Sequence, residues 1–431
     1  MKFLFAMDSY KGSLTSRESA DLLSKAAKTV FGDCDTVCVS IADGGEGTVD
    51  AVMEELCGER ICLKASDPLM NKVDAYYGLR RDVYAELKNE IYNGLKKDGN
   101  HGRKSVAIIE MAKASGLTLI PKELRNPLYT SSFGTGELVK DAIDKGAKEI
   151  FIAIGGSATN DGGMGFAKAL GVKFFDEDGN VLEGRGMDLE RVADIDISHV
   201  LSDIKNTRFI VMCDVKNPLC GENGATYTYA KQKGATDSDI LRLENGMKNY
   251  RDIIIKKFGI NPDDIPGSGA AGGIATALKV FFNATLKSGI DTVMDIISFD
   301  EKIKDADFII TGEGCMDYQS AFGKVVSGVA YKGKSRGIPV MAICGSLGEG
   351  YKEMYKCGVK KIYSISENVE VEEAITNAEK YFYETAIRMF SDIRNLSWNM
   401  GRNSNVKNRK YRVYVTRKNL WMRVSNVRDE E

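Results

Sequence analysis

Ile150-Phe151-Ile152-Ala153-Ile154, Gly155-Gly156-Ser157-Ala158-Thr159-Asn160-Asp161-Gly162-Gly163 and Met164-Gly165-Phe166-Ala167-Lys168-Ala169-Leu170-Gly171 follow one another without a break, and they decide the fold class. The apolar run reads as a buried strand. The residues after the loop read as a helix closed by a glycine. Four glycines in the loop let the backbone take up conformations that other residues resist and come close to a ligand. Two hydroxyls, an amide and a carboxylate stand between them. A strand that ends in such a loop and opens a helix is where an α/β enzyme turns backbone N–H groups toward an anion. The plainer alternative is a tight strand-to-helix turn without a ligand, and the polar side chains between the glycines weigh against it.

The pattern recurs along the chain. Ala42-Asp43-Gly44-Gly45-Glu46-Gly47-Thr48 follows Thr36–Ile41, and Thr311-Gly312-Glu313-Gly314-Cys315-Met316-Asp317 follows Phe308-Ile309-Ile310. Asp8-Ser9-Tyr10-Lys11-Gly12-Ser13 follows Phe3–Ala6, and Pro266-Gly267-Ser268-Gly269-Ala270-Ala271-Gly272-Gly273 opens a helix of small residues. Apolar runs that end repeatedly in glycine plus a carboxylate predict an active site built from strand ends. Carboxylates, glycine loops and a few lysines suit a magnesium–phosphate site. Serine-nucleophile chemistry fits poorly, because the Gly-x-Ser-x-Gly match, Gly333–Gly337, closes an expected helix and makes no strand-to-helix elbow, and only His101 and His199 are present to act as a base. Gly328–Ser335 fits the P-loop spacing but falls inside an expected helix rather than a strand-to-helix loop, and Gly267–Gly272 fits Gly-x-Gly-x-x-Gly but follows no apolar run, so neither completes a nucleotide-binding fingerprint.

The same motifs, taken in order, resemble the type-1 glycerate kinase family. Those that carry the resemblance are Asp8–Ser13, Ala42–Thr48, Gly155–Gly163, Cys213-Asp214-Val215-Lys216-Asn217-Pro218-Leu219-Cys220-Gly221 and Thr311–Gly314. Ile109–Ala112 with Ala114–Leu117, and Ser132–Leu138, belong to the same set, so the resemblance spans about residues 1–390. It implies an ATP-dependent kinase that phosphorylates D-glycerate and uses Mg²⁺. It favours 2-phosphoglycerate over 3-phosphoglycerate as product. The chain departs from the family pattern at Cys315, where arginine or lysine is common, and at Tyr318, where a small residue is usual. A charged stretch from about 79 to 104 reads as an insertion, helical around 83–95, and the chain after about Asn395 looks foreign to the family.

On this reading, Lys11 neutralises the transferred phosphate, and Asp161 accepts the glycerate hydroxyl proton with Asp214 as second candidate. Asp43 and Glu46 orient substrate or metal. Gly155, Gly156, Ser157 and Asn160, with Gly269 and Gly272, cradle phosphate, and Lys233 and Lys324 supply further positive charge. Glu313 and Asp317 are the expected Mg²⁺ ligands. For any one of these carboxylates, a turn former or helix cap is an equally good reading. A kinase for another small hydroxy acid and a non-catalytic glycerate-binding protein are the alternatives.

Alternating strands and helices predict an α/β fold of two domains. The first is a doubly wound, Rossmann-like parallel sheet from 1–62 and 287–392. Residues 63–286 form an inserted second α/β domain, with the active site expected in the cleft. Helices are expected over Ser16–Val30, Gly47–Leu56, Lys324–Arg336 and, as one long element, Val371–Ile393. A basic extension, 393–431, is expected to be poorly ordered and dispensable. The formal net charge of −2 speaks against general nucleic-acid binding. Nine scattered cysteines without a Cys-x-x-Cys pair read as reduced thiols rather than a zinc site. The chain opens on a strand, not a signal peptide, and no apolar run reaches the ~20 residues a bilayer needs, so a soluble cytoplasmic enzyme is expected. Oligomeric state is not legible.

Overall fold

A computed structural model describes residues 1–10, 12–83, 104–200 and 202–402. Strands β1 (Lys2–Met7) and β2 (Asp35–Ser40) open the chain, linked by the helix Ser16–Phe31. Thr15 caps that helix: its hydroxyl accepts from the Glu18 backbone N–H, and the Glu18 carboxylate accepts from the Thr15 backbone N–H. After Asp43 the chain enters a second compact unit, Gly44–Val293, and it resumes the first at Met294.

The second unit carries β3 (Glu59–Ser66), β4 (Lys72–Val83), β5 (Lys104–Glu110), β6 (Ala147–Ala153), β7 (Lys173–Phe175), β8 (Asp194–Asp196), β9 (Arg208–Met212) and β10 (Thr285–Lys287). Its main sheet runs β10-β9-β6-β5-β4-β3, and β7 pairs with β8 alone. The four strands from β10 to β5 are parallel, whereas β4 is antiparallel to both neighbours. Ile150 and Ile152 of β6 are fully buried in a core shared with Phe166, Phe209 and Leu138. Back in the first unit, β11 (Phe308–Met316), β12 (Val340–Leu347) and β13 (Val359–Ser364) complete a five-stranded, wholly parallel sheet ordered β13-β12-β11-β1-β2. Phe3 and Phe5 pack edge-on against Phe390 of the C-terminal helix.

The division falls at 43/44 and 293/294, where the sequence suggests 62/63 and 286/287. Pairing explains the first shift. β3 runs antiparallel to β4 from Glu59↔Leu79 to Ser66↔Lys72, and the Val49 N–H of helix Thr48–Leu56 donates to Glu110 Oε1 at 2.7 Å. At the other end, the Gly289 N–H donates to Asp214 Oδ1 at 3.0 Å. The expected insertion joins β4 to β5, whose ends pair at Val83↔Lys104; the expected helix around 83–95 and His101 lie outside the described residues.

The expected long helix from Val371 is two helices, Val371–Thr376 and Ala378–Arg402, broken at Asn377 (φ −114°, ψ 35°). The second continues past the expected end of the fold. Ile393 is buried and Arg394 Nη1 donates to Val30 O at 3.0 Å. A chain cut after Asp392 is therefore expected to melt about 5 °C or more below one cut after Asn395, because it loses a buried isoleucine. Thermal unfolding of the two truncations checks this. Residues 403–431, the bulk of the basic extension, lie outside the described residues.

Candidate active site

The parallel sheet of the first unit grows in opposite directions from the β1/β11 pair, with β2 on one side and β12 and β13 on the other. Ligands of open parallel sheets collect beyond the carboxyl ends of the strands at such a reversal. A cavity of about 360 Å³ lies there. Asp8 reaches it from the end of β1, Asp43 from beyond β2, Glu313 and Cys315 from β11, Ser346 from β12, and Lys324 from the N-terminus of the helix Val325–Ser335.

Glu313 is 5% exposed, and its Oε2 lies 3.7 Å from Lys324 Nζ. Its Oε1 has no hydrogen-bond partner among the described residues. Burial pushes its pKa up to about 7, with the nearby carboxylates Asp8 and Asp317 adding to the rise and Ser320 and Lys324 opposing it. A desolvated carboxylate with an unpartnered oxygen facing a cavity is poised to meet a cation or a proton. Asp317, expected beside it as a metal ligand, does not line the cavity. Its Oδ1 caps the short turn Tyr318–Ala321, accepting from the N–H groups of Gln319 (2.8 Å) and Ser320 (3.2 Å). That is the capping reading realised. Lys11 lies outside the described residues. Tyr318 is exposed and not in the cavity wall, so it does not fill the space beside Cys315.

In the second unit, β6 and β9 run parallel and end side by side at Ala153↔Met212. Beyond them stand the exposed Gly155 and Gly156 and the exposed Asp214. A Cβ added to Gly155 would lie 3.5 Å from Gly45 Cα, so the two glycine loops run close together there, with Glu46 exposed on the second. Gly156 has φ 73°, a conformation that favours glycine.

The rest of the glycine motif turns inward. Asp161, the expected proton acceptor, is fully buried. It accepts from Ser132 N and Ser132 Oγ, both at 2.7 Å, from Gly163 N at 3.1 Å and from Gly165 N at 3.2 Å. Burial raises its pKa while those donors pull it down. A carboxylate held by four donors and shut from solvent fastens the loop. Asn160 is buried as well, its Nδ2 donating to Thr226 Oγ1 at 3.1 Å. Gly269 and Gly272, expected to cradle phosphate, stand close against neighbouring backbone. A Cβ at Gly272 would lie 2.0 Å from Thr159 O, and one at Gly269 would lie 2.1 Å from Pro218 O, so these glycines serve close backbone packing.

Lys233, expected to meet phosphate, is 3% exposed. Its Nζ donates to Ser157 Oγ at 2.8 Å and to Thr159 O at 2.7 Å, bracing the glycine loop from below. Burial lowers its pKa to about 7, against the pull of Asp161. Because the folded state binds this proton more weakly than the unfolded chain, its contribution to stability is lost as pH falls toward 7 and grows as pH rises from 7 toward 10. The melting temperature of the native chain, relative to Lys233→Met, is expected to climb across that window; parallel curves would show that Lys233 keeps its proton.

Sequence reading passed over Tyr10, which is buried and donates from its hydroxyl to Ile343 O at 2.7 Å, forming the cavity floor. Asp8 stood at a strand end in a quoted loop, so the strand-end rule already pointed to it. Val371 and Ile375, also in the wall, carry no polar signal that a motif search could find.

Carboxylates and a lysine at the switch point of a parallel sheet are equipment suited to an α/β phosphotransferase. Residues 3–394 match the model of the glycerate kinase family, and the chain belongs to that family. It is 40% identical over 384 residues to a glycerate kinase of Halalkalibacterium halodurans, covering 89% of this chain and 96% of that one. It is 41% identical over 379 residues to the glycerate 2-kinase of Escherichia coli, covering 88% and 94%. A crystal structure described as that of a "putative glycerate kinase 2" from Salmonella typhimurium LT2 superposes with a TM-score of 0.77 at 38% identity, covering 92% of this chain and 98% of that chain. Membership makes the chain a kinase with ATP as its co-substrate. No helix among the described residues is long and apolar enough to cross a membrane.

Proposed function

We propose that this kinase transfers the γ-phosphoryl group of ATP to the 2-hydroxyl of D-glycerate in the cytoplasm. The single observation that carries the reading is the cavity at the β1/β11 switch point, where Asp8, Asp43, Glu313 and Lys324 converge. Phosphoryl transfer asks mainly for positioning and for charge neutralisation, and this wall supplies both. Lys324, 3.7 Å from Glu313, is placed to offset phosphate charge. Hard carboxylate oxygens, one of them the unpartnered Glu313 Oε1, fit Mg²⁺. Among the described residues no group of three His, Cys, Asp or Glu forms a ready-made cage. Mg²⁺ keeps several waters and shares phosphate oxygens. Glu313 would hold it. When bound, it neutralises charge on the transferring phosphoryl oxygens.

Of the two candidate proton acceptors, Asp214 is exposed beyond β9 and Asp161 is buried, which favours Asp214. Incubation with ATP, Mg²⁺ and a panel of small hydroxy acids tests the reading. ADP release with D-glycerate alone, and a ³¹P spectrum of 2-phosphoglycerate, is the expected result. Release only with another acid would move the substrate assignment, and a 3-phospho product would move the regiochemistry.

Cys315 lies exposed on the cavity wall, paired in register with Ser346. An arginine there would add a charge-assisted bond to phosphate, worth about 1.5–3 kcal/mol. Cys315→Arg is expected to raise kcat/KM for ATP about tenfold or more. A flat or lower value would mean that the anion is already held without it.

A further inference from the structure

The lining of the first unit's cavity includes Asp8, Asp43, Glu313 and Lys324 and also the aliphatic Ile365, Val371, Ala374 and Ile375. Residues 371, 374 and 375 are spaced i, i+3, i+4 on the helix Val371–Thr376, so they share one face. Ala374 and Ile365 are buried, yet Val371 is 45% exposed and Ile375 is 48% exposed. Half-exposed aliphatic side chains beside a cavity are surface that a ligand can cover with gain. Glycerate has nothing to cover them with: it is three carbons bearing a carboxylate and two hydroxyls. The phosphates of ATP belong with the charged residues. What remains of ATP is the flat, weakly polar base with its ribose. Ligand pockets typically occupy about 300–1,000 Å³, so a cavity of about 360 Å³ is in the range for part of a nucleotide.

We propose that Ile365, Val371, Ala374 and Ile375 seat the nucleobase of ATP, with the phosphates running toward Glu313 and Lys324. This rests on ATP being the phosphate donor, and it adds which side chains of the pocket receive which end of the donor. The helix Val371–Thr376, which ends at Asn377 before the long C-terminal helix, then acts as the base-side jaw.

Isothermal titration of the full chain with ADP and with inorganic triphosphate tests the assignment. The double variant Val371→Ser, Ile375→Ser keeps charge unchanged and alters only half-exposed positions; circular dichroism confirms that it folds. Its Kd for ADP is expected to rise tenfold or more, while its Kd for inorganic triphosphate stays within about twofold of the native value. The single variant Ile375→Ala is expected to show an intermediate loss for ADP alone. Unchanged ADP affinity in the double variant would overturn the proposal, and so would equal weakening of both ligands. The titration needs no turnover. Loss of base-dependent binding without any hydroxy-acid kinase activity in the native chain would therefore sink the proposed reaction and leave the base site standing.

Discussion

Glu313→Gln is expected to lower kcat by about 10²–10³-fold, the size seen when one preorganised electrostatic group is removed from an active site. The substitution keeps shape and removes the charge that faces the cavity. Its effect on stability has the opposite sign. The Glu313 carboxyl is desolvated, and its pKa is pushed up to about 7. A carboxylate whose folded pKa is raised costs stability as pH climbs from its ordinary value, near 4.5, through 7, because the unfolded chain ionises first. In EDTA at pH 8 the glutamine variant should therefore melt at or above the native protein, and at pH 4 the two should coincide. Lost activity with retained or higher melting temperature marks a group kept for chemistry at the expense of stability. A variant with near-native kcat, or one that melts well below the native chain at pH 8, would remove Glu313 from the site.

The second large effect is the reverse case. Asp161→Asn is expected to destabilise the protein by about 3–5 kcal/mol, the cost of breaking a buried charged network, and so to lower its melting temperature by roughly 10 °C. Asn presents one oxygen and one NH₂ group where Asp161 presents two oxygens. Three of the four groups it accepts from are backbone N–H groups, of Ser132, Gly163 and Gly165, and these cannot reverse their role. The amide N–H₂ would meet donors, and buried donors would go unpaired. The Ser132 hydroxyl has little freedom to help, because it already accepts from Phe166 N at 2.9 Å. The kcat of the variant that remains folded should stay within about threefold of native. A fall of 10² or more at unchanged melting temperature would restore Asp161 to the role of proton acceptor. Differential scanning fluorimetry and steady-state kinetics on the same preparation separate the outcomes.

Much of this molecule is determined locally. Apolar runs at Phe3–Ala6, Phe308–Ile310 and Ile150–Ile154 dictate buried strands, and Thr15 with Glu18 dictates where the first helix begins, because strand burial and capping depend on neighbours a few residues away. The motif order alone carries the family, since each motif is a run of contiguous residues. The direction a side chain faces is another matter. Within Gly155–Gly163 the first two glycines are exposed, while Asn160 and Asp161 are buried, and nothing in the spacing distinguishes a carboxylate that meets substrate from one that ties a loop to Ser132, 29 residues upstream. The same holds for Lys233, whose partners Ser157 and Thr159 lie more than 70 residues away. The unit boundary moved to Asp43 because β3 chose β4 as its partner, and strand pairing is a contest among all available edges. The aliphatic lining of the cavity exists only because the ends of β1, β11, β12 and β13 and a one-and-a-half-turn helix meet in space. Sequence determined which segments are strands and helices and which chemistry they can carry; tertiary structure decided which carboxylates face a ligand, because burial and hydrogen-bond partners are set by contacts far apart in the chain.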